Sequence, residues 1–265
     1  MTPENVSDIN SLSLFLSHPQ ITSLSSCDPV ECIVICASAV LRTATVLFTT
    51  LEERPDLTKT LVLCGGIGHS TKLIYDAVAR HEIYQEIRDE VNGLPEARVL
   101  ELIMKRFFDV EKITSQGCRI LVEDQSTNCG ANALESRKLL EKSEVSMPKT
   151  CIVIQDSTMA LRTVASFEKA FADVPSSPVF GSCPVLVPKV RMSDSGLEFE
   201  VKDVNNAELW EMERFLDLIM GEIPRLRDDE EGYGPKGKDF ITHVDVSPEL
   251  ENSWHRLEKF AGRSR

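Results

Sequence analysis

The sequence predicts an α/β fold: a Rossmann-like, mostly parallel sheet of about five strands with helices on both faces, plus a helical subdomain. Three observations lead there. A short apolar strand, a polar turn and a helical stretch recur as a unit four times. The strands are apolar almost throughout, as expected where helices cover both faces of a parallel sheet. Both ends of the chain carry helical periodicity instead.

In chain order, "SDINSLSLFLSH" reads as a short N-terminal helix. "ECIVIC" is too short for a helix and is bounded by turn residues, so it reads as the first strand, leading through "ASA" into the helix "VLRTATVLFTTLEE". The second unit is "TLVLC", "GGIGHS" and "TKLIYDAVAR", followed by "HEIYQEIRDEVNGL", which reads as a helical insertion. In "PEARVLELIMKRFFDV", Val99, Leu100, Ile103, Met104, Phe107 and Phe108 share one face. Pro95 suits the first turn there and Glu96 suits the N-terminal dipole. The third unit is "RILVE", "DQSTNCG" and "ANALESRKLLEK"; the fourth is "TCIVIQ", "DST" and "MALRTVASFEKAF".

A fifth strand is expected in "PVFGSCPVLVPKV", its prolines suggesting an edge position or a strand start followed by a loop. "AELWEMERFLDLIMGEI" is an amphipathic helix with Leu209, Met212, Phe215, Leu216 and Ile219 on one stripe. "SPELENSWHRLEKFAG" opens with a serine cap and a proline at the first helical position. The expected organisation is a Rossmann-like domain over 27–192 with a helical insertion near 81–95. Residues 1–26 and 205–265 form helical additions packed on it.

The 265 residues are 42% hydrophobic and 27% charged, enough for a core and a polar surface. A net charge of −13 argues against phosphate-backbone binding, so no nucleic acid is expected. The start "MTPENVSDIN" lacks the basic and apolar regions of a signal peptide. No apolar run is long enough to span a membrane, and a cytoplasmic location is expected. Of eight cysteines none form a Cys-x-x-Cys pair, and Cys32, Cys36, Cys64 and Cys151 lie in or beside strands. They read as reduced core residues. The histidines are scattered, so no metal site is predicted.

Ligands of open α/β sheets bind beyond the carboxyl ends of the strands, where all four polar turns fall. In "GGIGHST", Gly65, Gly66 and Gly68 permit close backbone approach, and Ser70 or Thr71 can cap the next helix. His69 is a candidate ligand contact. The pattern alone does not separate a phosphate or cofactor cradle from a tight turn. In "VEDQSTNCGAN", Glu123 and Asp124 can accept ribose hydroxyl or amine hydrogens. Ser126, Thr127, Asn128 and Asn132 add short polar side chains, more than one helix cap requires. "QDSTMALRT" places Gln155, Asp156, Ser157 and Thr158 after a strand, with Arg162 one turn into the helix. Arg162 can hold a carboxylate or phosphate in bidentate fashion, or pair with a neighbouring glutamate. "RLRDDEEGYGPKGKDFITHVDV" reads as a lid, a structured loop or a solvated connector.

Together these turns resemble the SanA/YdcF family. The resemblance rests on Gly65–Gly66, Glu96–Ala97, Glu123 with Ser126–Thr127–Asn128 and Asn132, and Met159 with Arg162, in order over roughly residues 30–180. Likeness to the YdcF branch extends further, through "GGIGHST", "EDQSTNCG" and "GEIPRLRDDEEGYGPKGKDFITHVDV". The first turn, "CASAV" with Ser38, departs from the Gly-Asn turn of bacterial relatives. The resemblance implies a Rossmann-like domain with an added helical region and S-adenosylmethionine as ligand. It implies no particular reaction. The Gly-x-Gly-x-Gly loop usual in methyltransferases is missing after the first strand, so the other turns would hold the cofactor.

The leading expectation is a protein that binds a small-molecule ligand, adenosylmethionine or a related nucleotide, and transfers a group to an unknown substrate, with Asp124, Asp156 or His69 as base. The alternatives are a Mg²⁺-dependent hydrolase or transferase on a phosphorylated substrate, assisted by Glu123 or Asp156, and a non-catalytic sensor.

Overall fold

The computed structural model describes residues 1–194, 196–202 and 204–263. The chain opens with helix α1, Pro3–Ser17, then builds one parallel sheet. Its strands are β1 Val30–Cys36, β2 Thr58–Cys64, β3 Arg119–Glu123, β4 Thr150–Ile154 and β5 Val179–Ser182, in the order β3-β2-β1-β4-β5. This is the doubly wound order, and its direction reverses between β1 and β4. In register, Val34 lies between Val62 and Val153, and Cys64 lies beside Glu123.

Alternation along the strands sorts side chains to two faces. Ile33, Ile35, Leu61, Leu63, Ile152 and Ile154 face α2 (Arg42–Glu53), α3 (Thr71–Arg80), α4 (Glu96–Phe107) and the short α5 (Val110–Thr114). The smaller residues Cys32, Val34, Cys36, Val62, Cys64, Cys151 and Val153 face α6 (Cys129–Lys142) and α7 (Ala160–Ala170). Small strand residues there leave room for the mutually packed rings of Phe167, Phe171 and Phe180. All eight cysteines are free, and all but Cys27 are buried.

A second core lies beside the sheet domain. It joins α1, the outer face of α7, a hairpin of β6 (Val190–Ser193) and β7 (Gly196–Phe199), α8 (Met212–Leu226) and α9 (Pro248–Arg263). Phe215, Ile219, Ile223 and Leu226 form the fully buried stripe of α8. Pro224 lies inside that helix and has no N–H for the Met220 carbonyl. The Trp254 indole of α9 donates to that carbonyl instead, at 2.8 Å, so the break in one helix fastens the next.

The structure departs from expectation in three places. Residues 81–95 hold a single 3-10 turn, Tyr84–Ile87, among other turns rather than a helix. The His81 ring accepts the amides of Ile83 and Tyr84 and stacks on Tyr84, and this local bonding competes with an α-helical path. The β6–β7 hairpin is new; its strands are four residues each and carry exposed Arg191 and Met192. Leu209 precedes α8 instead of lying on its stripe. Among the described residues no helix is long and apolar enough to cross a membrane.

Candidate functional site

Parallel strands bring their carboxyl ends to one rim, and the second core roofs it. Between them is a cleft of about 840 Å³, within the range of small-molecule sites. Its floor comes from all four turns: Ala37 after β1, Gly65 to Ser70 after β2, Ser126 to Cys129 after β3, and Gln155 with Met159 after β4. Its roof is α8, which turns Arg214, Leu218, Gly221, Glu222 and Arg225 to the cleft while its apolar stripe stays in the second core.

Of the residues predicted from sequence, Gly65, Gly66, Gly68, His69, Ser70, Ser126, Thr127, Asn128, Asn132, Gln155 and Arg162 line the cleft. Ser38, Glu123, Asp124, Asp156 and Thr158 do not. Glu123 is buried and accepts from the amides of Gln125 and Ser126 at 2.7 and 2.9 Å, the Ser126 hydroxyl at 2.5 Å and the Cys64 thiol at 3.1 Å. It shapes the turn after β3. Asp124 pairs with Arg98 at 2.7 Å; the Gln125 amide and then Arg98 hold its carboxyl below the ordinary range.

Asp156 and Ser38 meet at the switch point between β1 and β4, where a doubly wound sheet usually receives its ligand. One Asp156 oxygen accepts the Ser38 hydroxyl at 3.0 Å and the Trp210 indole at 2.9 Å. The other accepts the amide and hydroxyl of Thr158 at 3.0 and 2.7 Å. Burial pushes the Asp156 carboxyl up, against the pull of those donors. Trp210, from the second core, thus fills the switch point and leaves only a side cavity of about 120 Å³. The larger cleft spreads over the neighbouring strand ends.

The glycine turn is built by packing. Gly66 donates its amide to the Ser126 carbonyl at 2.9 Å, and a Cβ there would overlap that oxygen. A Cβ on Gly68 would lie 2.9 Å from the Thr127 carbonyl oxygen. The carbonyls of Gly65 and Gly66 accept the amides of Ala97 and Glu96 and so cap α4. Ser70 stands at the N-cap position of α3 without a capping bond from its side chain; the Thr71 hydroxyl accepts from Gly68.

Charge in the cleft comes mostly from residues that sequence pattern alone does not select. Glu96 lies at its wall and accepts the Thr71 hydroxyl at 2.9 Å; burial pushes its carboxyl up. Arg162 is 11% exposed and pairs in bidentate fashion with Glu222, 2% exposed, at 2.5 and 3.0 Å. Arg225 joins Glu222 from the other side at 3.2 Å. Among the described residues nothing accepts from Nη1 of Arg162, and the exposed Arg214 has no hydrogen bond or ion pair. The signal for Glu222 was its place among Ile219, Ile223 and Leu226, since a glutamate beside an apolar stripe needs a partner.

Tyr233 reaches the cleft from residues 227–247, which form a self-tied loop. Asp228 accepts the Lys236 amide and the His243 ring, Asp229 accepts the Gly232 amide, and Tyr233 donates its amide to Arg225. Among the described residues no group of three or more His, Cys, Asp or Glu is placed to hold a metal ion. No protein-family model matches the chain.

Proposed function

We propose that the cleft binds S-adenosylmethionine or a related nucleotide-like ligand and that the protein is a group-transfer enzyme. One observation carries this reading: four strand-end turns and one helix face enclose about 840 Å³ lined by cations, carboxylates and amides together. A zwitterionic nucleoside calls for that mixture. The guanidinium of Arg214, unpaired among the described residues, suits a carboxylate or phosphate. Asn132 offers its amide and Asn128 and Gln155 their NH2 groups to a sugar or base edge, the oxygens of the latter two being held by the amides of Ala131 and Asp156. Asp217 offers an acceptor to an amino group. The resemblance to the SanA/YdcF family supports the same ligand.

The chemistry that bound adenosylmethionine supplies is an electrophilic methyl group. The chain's part is to hold donor and acceptor in line and to exclude water. Glu96, at the cleft wall, takes the proton that the acceptor releases; burial pushes its carboxyl up, which makes its ionised form a stronger base. The metal-assisted alternative relied on Glu123 and Asp156, whose oxygens are already taken up by donors of the protein itself.

Arg214→Ala tests the site without disturbing the fold. Calorimetric titration with S-adenosylmethionine should show saturable one-site binding to the wild type and about ten-fold weaker binding to the variant. Equal affinities would remove Arg214 from the site.

A further inference from the structure

A second cavity of about 690 Å³ lies between α6, α7 and the loop of residues 227–247. Its walls are mostly carbon: Ala131, Leu134, Ala170, Phe240 and Ile241. Leu134 and Phe240 are 51% and 57% exposed, although each is a large apolar residue. Adjacent exposed side chains of this kind mark binding surfaces more often than solvated ones. The cavity is not separate from the cleft. Asn128, Arg162 and Tyr233 line both, and Arg162 stands at the junction with Nη1 unpaired.

We infer that the groove is the acceptor subsite: it takes the aromatic or branched aliphatic arm of an acceptor whose anionic group lies at Arg162. This rests on the cleft being the ligand site. A nucleoside needs hydrogen-bonding partners along its base edge, and the amides that offer them line the cleft. The groove suits a group without such needs. Lys169 and Asp239, paired at 2.5 Å, join α7 to the loop at the same cavity and hold its walls together.

Anilinonaphthalene sulfonate has the required shape, an anionic head on an aromatic body. Titration of the full chain, followed by fluorescence, should show saturable binding. Leu134→Gln and Phe240→Ser change the groove without adding charge, and each should weaken binding about ten-fold. Leu14→Gln, at an exposed leucine of α1 lining neither cavity, should leave it unchanged. Near-ultraviolet circular dichroism should stay native, because the probe also binds loosened states. Saturating S-adenosylmethionine should leave the probe bound. Unchanged affinity in both groove variants would overturn the proposal. Displacement by S-adenosylmethionine would also overturn it, by making the groove part of the cofactor site. Groove-dependent probe binding without any S-adenosylmethionine binding would keep the subsite and sink the cofactor reading alone.

Discussion

Gly66 donates its amide to the carbonyl of Ser126 at 2.9 Å, and no side chain fits between the two. The turn after β2 is thereby fastened to the turn after β3. Gly66→Ala forces backbone away from backbone and should cost about 2–3 kcal/mol, read from urea unfolding. Gly130→Ala provides the contrast. Its Cβ would meet only Asn128 Oδ1, at 3.4 Å, so the change should be neutral or stabilising by up to about 1 kcal/mol. Equal effects would show that loop packing is not what Gly66 serves.

The sheet was legible because its apolar runs are short and each is followed by a helical period. The β6–β7 strands carry no such signal, since four residues with exposed polar positions resemble a loop. Within the site, sequence located the turns and not the directions of their side chains. Glu123 and Asp124 are neighbours, yet one turns inward to its own turn and the other outward to Arg98. The roof of the cleft was hidden for a different reason. Arg214 and Arg225 look like an ordinary solvated helix face until the fold lays that face over the strand ends.

Asp156 ties the first turn, the fourth turn and Trp210 together. Asp156→Ala leaves the buried Trp210 indole and Ser38 without their acceptor and should cost about 3–5 kcal/mol. Asp156→Asn keeps an acceptor for Trp210 and Ser38 but sets its NH2 against the Thr158 amide, and should cost less, about 1–3 kcal/mol. Chemical denaturation of the two variants checks the order. An alanine variant as stable as the asparagine one would contradict the tie.

Arg162 and Glu222 form a buried ion pair, and removing Arg162 leaves the buried Glu222 only the longer contact to the more exposed Arg225. Arg162→Met and Glu222→Met should each lose about 3–5 kcal/mol, while the two combined should recover most of it. The double-mutant cycle in urea measures the coupling. Additive losses would mean that the pair contributes no interaction energy.

Glu96 ties stability to pH through its raised carboxyl. A carboxyl raised in the folded state favours folding while protonated. That contribution is complete below the unfolded value and is lost as pH rises through the folded one. Glu96→Gln should therefore gain stability relative to the wild type as pH rises from about 4 to 7. Unfolding curves at several pH values check the sign, and a gain on acidification instead would place Glu96 in a charge-stabilising environment.

The central claim is that the cleft holds a nucleoside-like cofactor. Its most direct test is calorimetric titration of the full chain with S-adenosylmethionine, after native mass spectrometry has shown the protein free of bound ligand. Saturable one-site binding, weakened in Arg214→Ala, is the predicted result. A folded, ligand-free protein that gives no heat with S-adenosylmethionine or with any nucleotide would contradict it.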